Sequence, residues 1–297
     1  SELVADALRR EEIRTGLRKI SDLERISTRI AMGTATPKDF LALKDSLAQV
    51  ASLRACCRTA DTPVLRQIAE RLDPCEEVYE LIERAIDPQA PAQFQEGRVI
   101  RDGFDPQLDE LRQVARQGKA WLVQLEAKER ERTGIKSLKV GFHQVFGYYI
   151  EVTRANLALV PQDRYHRKQT LANAERYVTE ELKEYERLIL EAEERLATLE
   201  HQRFDEVREQ VAQQTHRLQT LARHLSVLDV YAAFAEISVQ ERYVRPVLVE
   251  EQTLEISEGR HPVVEKMLPP GAFVANDTHL DEQTRIFLIT GPNMAGK

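Results

Sequence analysis

Apolar positions recur along this chain at two different periods, and the switch between them divides it. Over the first hundred residues Leu3, Ala7 and Leu8, then Leu17, Ile20, Leu23, Ile26 and Ile30, fall three and four apart, the spacing of a buried helical face. Gly33 closes that run. Thr36 followed by Pro37 then predicts a capped new helix, because proline's fixed φ suits the first helical position and its missing N–H is not needed there. Leu41, Leu43, Leu47, Val50 and Leu53 continue the helical period. Asp61-Thr62-Pro63 and Asp73-Pro74 mark further boundaries, and Asp87-Pro88-Gln89-Ala90-Pro91 reads as a loop. This part predicts a plain α-helical core with no chemistry of its own.

From Asp105 the pattern changes. Leu108, Leu111, Ala115, Leu122 and Leu125 form a heptad-like seam that runs into a charged stretch at 126–132, and Thr133-Gly134 ends it. The stretch 138–152 alternates instead. Leu138, Val140, Phe142, Gln144, Phe146, Tyr148, Ile150 and Val152 oppose Lys139, His143, Glu151 and Thr153, the period of a half-buried strand, long enough to bend or fold at Gly141 and Gly147. Between Pro161 and Pro246 neither glycine nor proline occurs, so most of that stretch is predicted helix. Leu182, Ile189 and Leu196 repeat at seven, as do Tyr185, Ala192 and Leu199; beyond them the seam resumes one position later as Phe204, Val211, Leu218 and Leu225. That slip is the drift of a nearly straight helix against a seven-residue repeat. A helix of about 60 residues would be roughly 90 Å long and needs an antiparallel partner, which the seam of 105–131 supplies. The implied architecture is a helical hairpin carrying a small β-containing head at 133–177.

Composition narrows the class. The chain has 297 residues, enough for two or three modest domains, with 31% charged residues, 12 glycines, 12 prolines and 6% aromatics, a helix-dominated profile. No apolar run approaches the ~20 residues that cross a bilayer, and no secretory signal is visible, so no membrane partner is expected. A start at Ser1 rather than Met predicts a piece of a longer chain. Three cysteines, two of them adjacent (Cys56 and Cys57), suit no disulfide framework and no metal spacing, which fits a reducing, cytoplasmic setting. A net charge of −7 excludes a generic polyanion binder. Between Lys136 and Arg176, however, seven basic residues (Lys136, Lys139, Arg154, Arg164, Arg167, Lys168, Arg176) face three acids, making the head +4 and the remainder −11. Such a head is either a phosphate-backbone grip or an ordinary solvated face.

At the end of the chain the apolar run Ile286-Phe287-Leu288-Ile289-Thr290 predicts a buried parallel strand. It leads into Gly291-Pro292-Asn293-Met294-Ala295-Gly296-Lys297, which follows the phosphate-loop pattern G-x-x-x-x-G-K. The glycines let backbone N–H groups wrap a polyphosphate, and Lys297 would reach its outer phosphates. A Gly-Pro turn at a chain end is the bland alternative. The sequence stops before the hydroxyl residue that would hold Mg²⁺ and before the helix that completes the cradle. This chain is therefore expected to bind nucleotide weakly and to hydrolyse none.

Two runs make the reading specific. Val140-Gly141-Phe142-His143-Gln144-Val145-Phe146-Gly147-Tyr148-Tyr149-Ile150-Glu151-Val152 and Arg167-Lys168-Gln169-Thr170-Leu171-Ala172-Asn173-Ala174-Glu175-Arg176-Tyr177 resemble the clamp signature of the bacterial MutS family of DNA mismatch-repair proteins. Arg101-Asp102-Gly103-Phe104-Asp105, Gly259-Arg260-His261-Pro262-Val263-Val264-Glu265 and the terminal 290–297 are similar to the same family, in the same order. The resemblance implies a mainly α fold with a small β-rich clamp head on long antiparallel lever helices, followed by the start of an α/β ABC-type ATPase domain. Its implied divisions are a helical core with the start of the first lever helix at 1–112, clamp and upper lever at 113–200, returning lever and core at 201–245, and the beginning of the ATPase domain at 246–297. The family's mismatch-sensing and connector domains, and its later ATPase motifs, have no counterpart in this sequence.

By the same resemblance, ATP or ADP with Mg²⁺ would be the cofactor of the parent protein, and none is expected to be held by this fragment. Phe273 sits where the family stacks an aromatic on adenine, although a core phenylalanine is the alternative. Gln144 and Asn173 would donate neutral hydrogen bonds to DNA phosphate beside Arg164, Arg167 and Lys168; a polar residue at a strand bend is the other reading of Gln144. Duplex DNA, a homodimer partner and a downstream mismatch-repair factor are the implied partners. Two rival readings fit parts of the sequence: a non-enzymatic coiled-coil scaffold, and another P-loop ATPase with a coiled-coil insertion.

Overall fold

The helical periods of the opening stretch produce α1 (Glu2–Ala5), α2 (Ala7–Leu17), α3 (Leu23–Ala31), α4 (Pro37–Arg58), α5 (Pro63–Arg71) and α6 (Glu76–Ala85). The computed structural model describes residues 2–94, 98–143 and 147–290 and divides into two units, Ser1–Gln240 and Glu241–Lys297. α4 starts as the Thr36-Pro37 pair predicts. The Thr36 hydroxyl accepts the Asp39 N–H at 3.3 Å while the Asp39 carboxylate accepts the Thr36 N–H at 2.8 Å, satisfying two donors that a helix start otherwise leaves open. Ile13, Ile30, Phe40, Leu43, Leu47 and Ile82 are fully buried in one apolar cluster. Leu8 departs from the expected core face and is 86% exposed. The inward stripe of α2 runs instead through Ile13 and Arg10, whose guanidinium donates to the Leu3 carbonyl at 2.7 Å and to Glu236 at 2.9 Å.

Glu2 holds the start of α5. Its carboxylate accepts the N–H groups of Asp61 at 2.8 Å and Thr62 at 2.9 Å, accepts the Thr62 hydroxyl, and pairs with Arg9. Desolvation alone would raise its pKa, but these hydrogen bonds and the Arg9 charge outweigh it and lower the carboxyl from 4.5 to about 2. A carboxyl whose pKa is depressed on folding stabilises above its unfolded value and loses that contribution as pH falls toward the folded one. In urea unfolding, Glu2→Gln should be less stable than wild type at pH 7, and the gap should close as pH falls from 4.5 toward 2. A gap that does not change with pH would remove the charge from this account.

Three long helices follow: α7 (Pro106–Thr133), α8 (Glu180–Ala212) and α9 (Thr215–Gln240). α7 ends where Gly134 takes φ 71°, a left-handed conformation that ordinary residues avoid, and returns its N–H to the Arg130 carbonyl. α7 and α8 run antiparallel, pinned along their length by Asp105 with Arg203, Arg112 with Glu200 at 2.7 Å, Trp121 stacked on Tyr185 with centroids 3.4 Å apart, and Lys128 with Glu181 at 3.3 Å. The single helix of about 60 residues expected from the pattern is divided in two. At the break the Gln214 N–H reaches Val211 at 2.9 Å, and the Thr215 hydroxyl donates to the Ala212 carbonyl at 2.6 Å. A short hydroxyl side chain competing for a backbone carbonyl is a recognised source of such interruptions. The seam survives the break: Leu182, Ile189, Phe204, Val211, Leu218 and Leu225 are all buried.

Between α7 and α8 lies a four-stranded antiparallel sheet of β1 (Lys139–His143), β2 (Gly147–Thr153), β3 (His166–Thr170) and β4 (Ala174–Val178), in the order β1-β2-β4-β3. The alternating stretch 138–152 is therefore a hairpin rather than one strand, with Lys139 opposite Glu151 and His143 opposite Gly147. Gly147 has φ 69°, and a Cβ there would collide with Glu186. β3 and β4 belong to the β-containing head expected at 133–177; Tyr165, Tyr177 and Val178 pack with Ile150 and Val152 in one apolar cluster. The chain is thus mainly α with a small β-rich head. No helix among the described residues is long and apolar enough to cross a membrane.

The second unit contains β5 (Leu254–Gly259), α10 (Pro262–Met267) and β6 (Asn276–Leu280), with β5 and β6 paired antiparallel. The run 286–290, expected as a buried parallel strand, pairs with no strand among the described residues, and Ile286 and Leu288 are 85% and 89% exposed. An apolar strand of that kind needs neighbours on both sides and cover on both faces.

Candidate nucleic-acid interface

The head has a core of its own, distinct from that of the helical body. Leu125 from α7, Leu182 from α8, and Ile135, Leu138, Ile150, Val152, Tyr165 and Tyr177 form it. Four charged side chains on the long helices fix the sheet in place. Glu126 accepts the Val140 N–H at 2.8 Å, Glu186 accepts the Tyr148 N–H at 2.9 Å, and the Arg130 guanidinium donates to the Leu138 carbonyl at 2.7 Å. Glu129, 1% exposed, accepts the Tyr165 hydroxyl and pairs with Arg132 at 2.9 Å. Burial, then the hydrogen bond and charge of Glu129, push the Tyr165 phenol well above its ordinary range. Because β1 is an edge strand, the Glu126 bond also closes one of its open N–H groups. These anchors escaped the sequence reading, in which 126–132 is only a charged stretch.

Four of the five expected DNA contacts lie on the β3 side of the sheet. Arg164, in the loop before β3, stands 3.6 Å from Glu181, and Arg167 stands 3.7 Å from Glu175. Lys168 is exposed at a bulge, where the register shifts between Arg167 and Gln169. Asn173 is exposed in the turn between β3 and β4, and its carbonyl accepts the Arg154 N–H at 3.1 Å. Gln144 lies outside the described residues. Arg176, one of the seven head cations, is committed internally: it pairs with Glu151 at 3.0 Å, donates to Gln169 at 3.0 Å and lies 4.0 Å over the Tyr149 ring. The ion pairs of Arg164 and Arg167 are long, and the two arginine side chains keep 39% and 65% of their surface exposed.

Gly291, Pro292, Asn293, Met294, Ala295, Gly296 and Lys297 lie outside the described residues. Phe273 is half-buried in the segment between α10 and β6.

Residues 103–195, which contain α7, the whole sheet and the first half of α8, match the model of MutS family domain IV. Over its full length the chain is 51% identical to the DNA mismatch repair protein MutS of Listeria monocytogenes serovar 1/2a, covering 34% of that protein. It is 54% identical, over 97% of its length, to the DNA mismatch repair protein MutS of Geobacillus kaustophilus, covering 32% of it, and equally so to that of Geobacillus thermodenitrificans. Residues 103–195 thus form a domain IV of the MutS family type, and half of the residues along the entire chain are shared with MutS proteins. The chain spans about a third of the length of the curated relatives it matches.

Proposed function

We propose that this chain acts in DNA mismatch repair as the clamp and lever of a mismatch-recognition ATPase, its head gripping the backbone of duplex DNA without reading sequence. The observation that supports the proposal is that Arg164, Arg167, Lys168 and Asn173 all belong to the β3–β4 hairpin and its approach, in a sheet that is itself bonded to both long helices. A head fixed in this way moves with α7 and α8, which makes the pair a lever between DNA and the remainder of the longer protein. In that protein Gln144 would add a phosphate contact, the 291–297 segment would hold ATP or ADP with Mg²⁺, and Phe273 would stack on the adenine. A homodimer partner and a downstream repair factor complete the proposed assembly.

Fluorescence anisotropy with a labelled duplex, repeated over a range of KCl concentrations, tests the grip. With about three charged contacts at ~0.9 per neutralised phosphate, log affinity should fall with log salt at a slope of at least roughly −3, from dissociation constants on the order of 10⁻⁴–10⁻⁵ M. Replacing Arg167 and Lys168 together by alanine should flatten the slope by roughly two, whereas Asn173→Ala should weaken binding with little change in slope, since a neutral donor releases no counterion. A mismatch in the duplex should make no difference, because backbone contacts carry no sequence information. A coiled-coil scaffold, the rival reading, would show no DNA binding in any of these titrations.

A further inference from the structure

The β1–β2 end of the head holds a second cluster suited to phosphate, and none of its residues belongs to the contacts assigned above except Asn173. We propose that Lys136 and Arg154, with Ser137, Thr153 and Asn156 between them, form a phosphate cradle that extends the clamp's grip to a further stretch of duplex backbone; the proposal rests on reading the head as a DNA clamp.

The register of the sheet brings these residues together. Lys139 pairs with Glu151, so the chain just before β1 runs beside the end of β2, while Thr153 pairs with Ala174 on the other side. The three chain segments meet in one row: the Ser137 and Thr153 hydroxyls lie 3.3 Å apart, and the Arg154 N–H bonds to the Asn173 carbonyl at 3.1 Å. Lys136 precedes Ser137, Arg154 follows Thr153, and both are exposed, as is Asn173. The cluster therefore joins the assigned Asn173 contact instead of standing apart from it.

Charge separates these two cations from the three arginines Arg164, Arg167 and Arg176. Arg164, Arg167 and Arg176 each face a carboxylate, from Glu181, Glu175 and Glu151. Lys136 and Arg154 form no ion pair among the described residues. Next to them in the chain stand neutral hydroxyl and amide groups. The Asn156 amide donates to Ser137 at 2.9 Å and to Thr153 at 3.2 Å. As a donor it consumes neither hydroxyl proton, and the bond between the two hydroxyls consumes one. The other O–H is left for water or for a phosphate oxygen. Two exposed cations adjacent in the chain to a spare hydroxyl donor, with an exposed amide in the neighbouring turn, match the mixture of charged and neutral donors that fixes a protein on a phosphate backbone.

The same labelled duplex and KCl series tests this, with circular dichroism confirming that each variant keeps the wild-type fold. Lys136→Ala with Arg154→Ala should flatten the salt slope by roughly two, as much as the Arg167/Lys168 pair, and all four changes together should leave only the slope of roughly −1 that Arg164 supplies. Ser137→Ala should weaken binding and leave the slope unchanged. If the Lys136/Arg154 variant keeps the wild-type slope while the Arg167/Lys168 variant loses roughly two, the cradle is wrong and the clamp stands. If the wild-type chain binds no duplex at low salt, the clamp reading fails and takes the cradle with it.

Discussion

Arg112→Ala should lower stability by roughly 3–5 kcal/mol, the range found when one member of a buried ion pair is removed. Arg112 is 7% exposed and its guanidinium bonds to Glu200 at 2.7 Å, to the Ile100 carbonyl at 2.7 Å and to Asp102 at 2.9 Å. It thereby ties α7 to α8 and both to the segment that leads out of the core. Glu200 is 9% exposed and also accepts the N–H groups of Val99 at 3.1 Å and Ile100 at 3.0 Å. Removing the arginine strands that carboxylate in a site with little water. Neutralising it as well should relieve the loss: in Arg112→Met with Glu200→Gln, the glutamine carbonyl still accepts both backbone N–H groups and no buried charge remains. Urea unfolding should place the double variant above Arg112→Ala in stability. Equal or additive losses would mean that the pair is not coupled and that packing alone holds this junction. DNA binding at the head should survive in Arg112→Ala under conditions where it stays folded, because the head has a separate core.

That junction illustrates where the sequence was silent. The seams of α7 and α8, the glycine stop at Gly134 and the cap at Thr36 are local patterns, and each appears in the structure where the pattern puts it. Buried polar links are not local. Glu200 and Val99 are joined at 3.1 Å across 101 residues, and Glu126, Glu129 and Glu186 look in sequence like any other acid on a charged helix. The errors have the same origin. Leu8 fits a helical period but falls outside the buried stripe of α2, and 286–290 has strand composition with no pairing neighbour among the described residues. The site was half legible for a related reason. Charge counting could mark 136–176 as basic, yet only strand register shows that Lys136 and Arg154 share a row with Asn173, and only the ion pairs separate the committed Arg176 from the exposed cations.

Ile189→Pro should be the severest change in α8, at ~3 kcal/mol or more from the backbone alone, because proline removes a donor and its ring clashes with the carbonyl four residues back. That carbonyl belongs to Tyr185, whose ring stacks on Trp121 with centroids 3.4 Å apart and planes 3° from parallel. Ile189 is itself 3% exposed, so the bend also pulls a seam residue out of the interface with α7. Trp121 is the single tryptophan of the chain, which makes its fluorescence a direct reporter of the helical pair. In the proline variant its emission should shift toward that of an exposed indole before any urea is added. The head and the helical body have separate apolar clusters, connected by α7 and α8. With that connection broken, unfolding followed by tryptophan fluorescence should precede unfolding followed by helical circular dichroism, instead of coinciding with it as one cooperative unit requires. Leu190→Ala, one position along and 43% exposed, is the matched control and should change neither signal appreciably. Wild-type emission and a single unshifted transition in Ile189→Pro would show that α7 and α8 do not carry the head as one packed pair, and the lever would lose its physical basis.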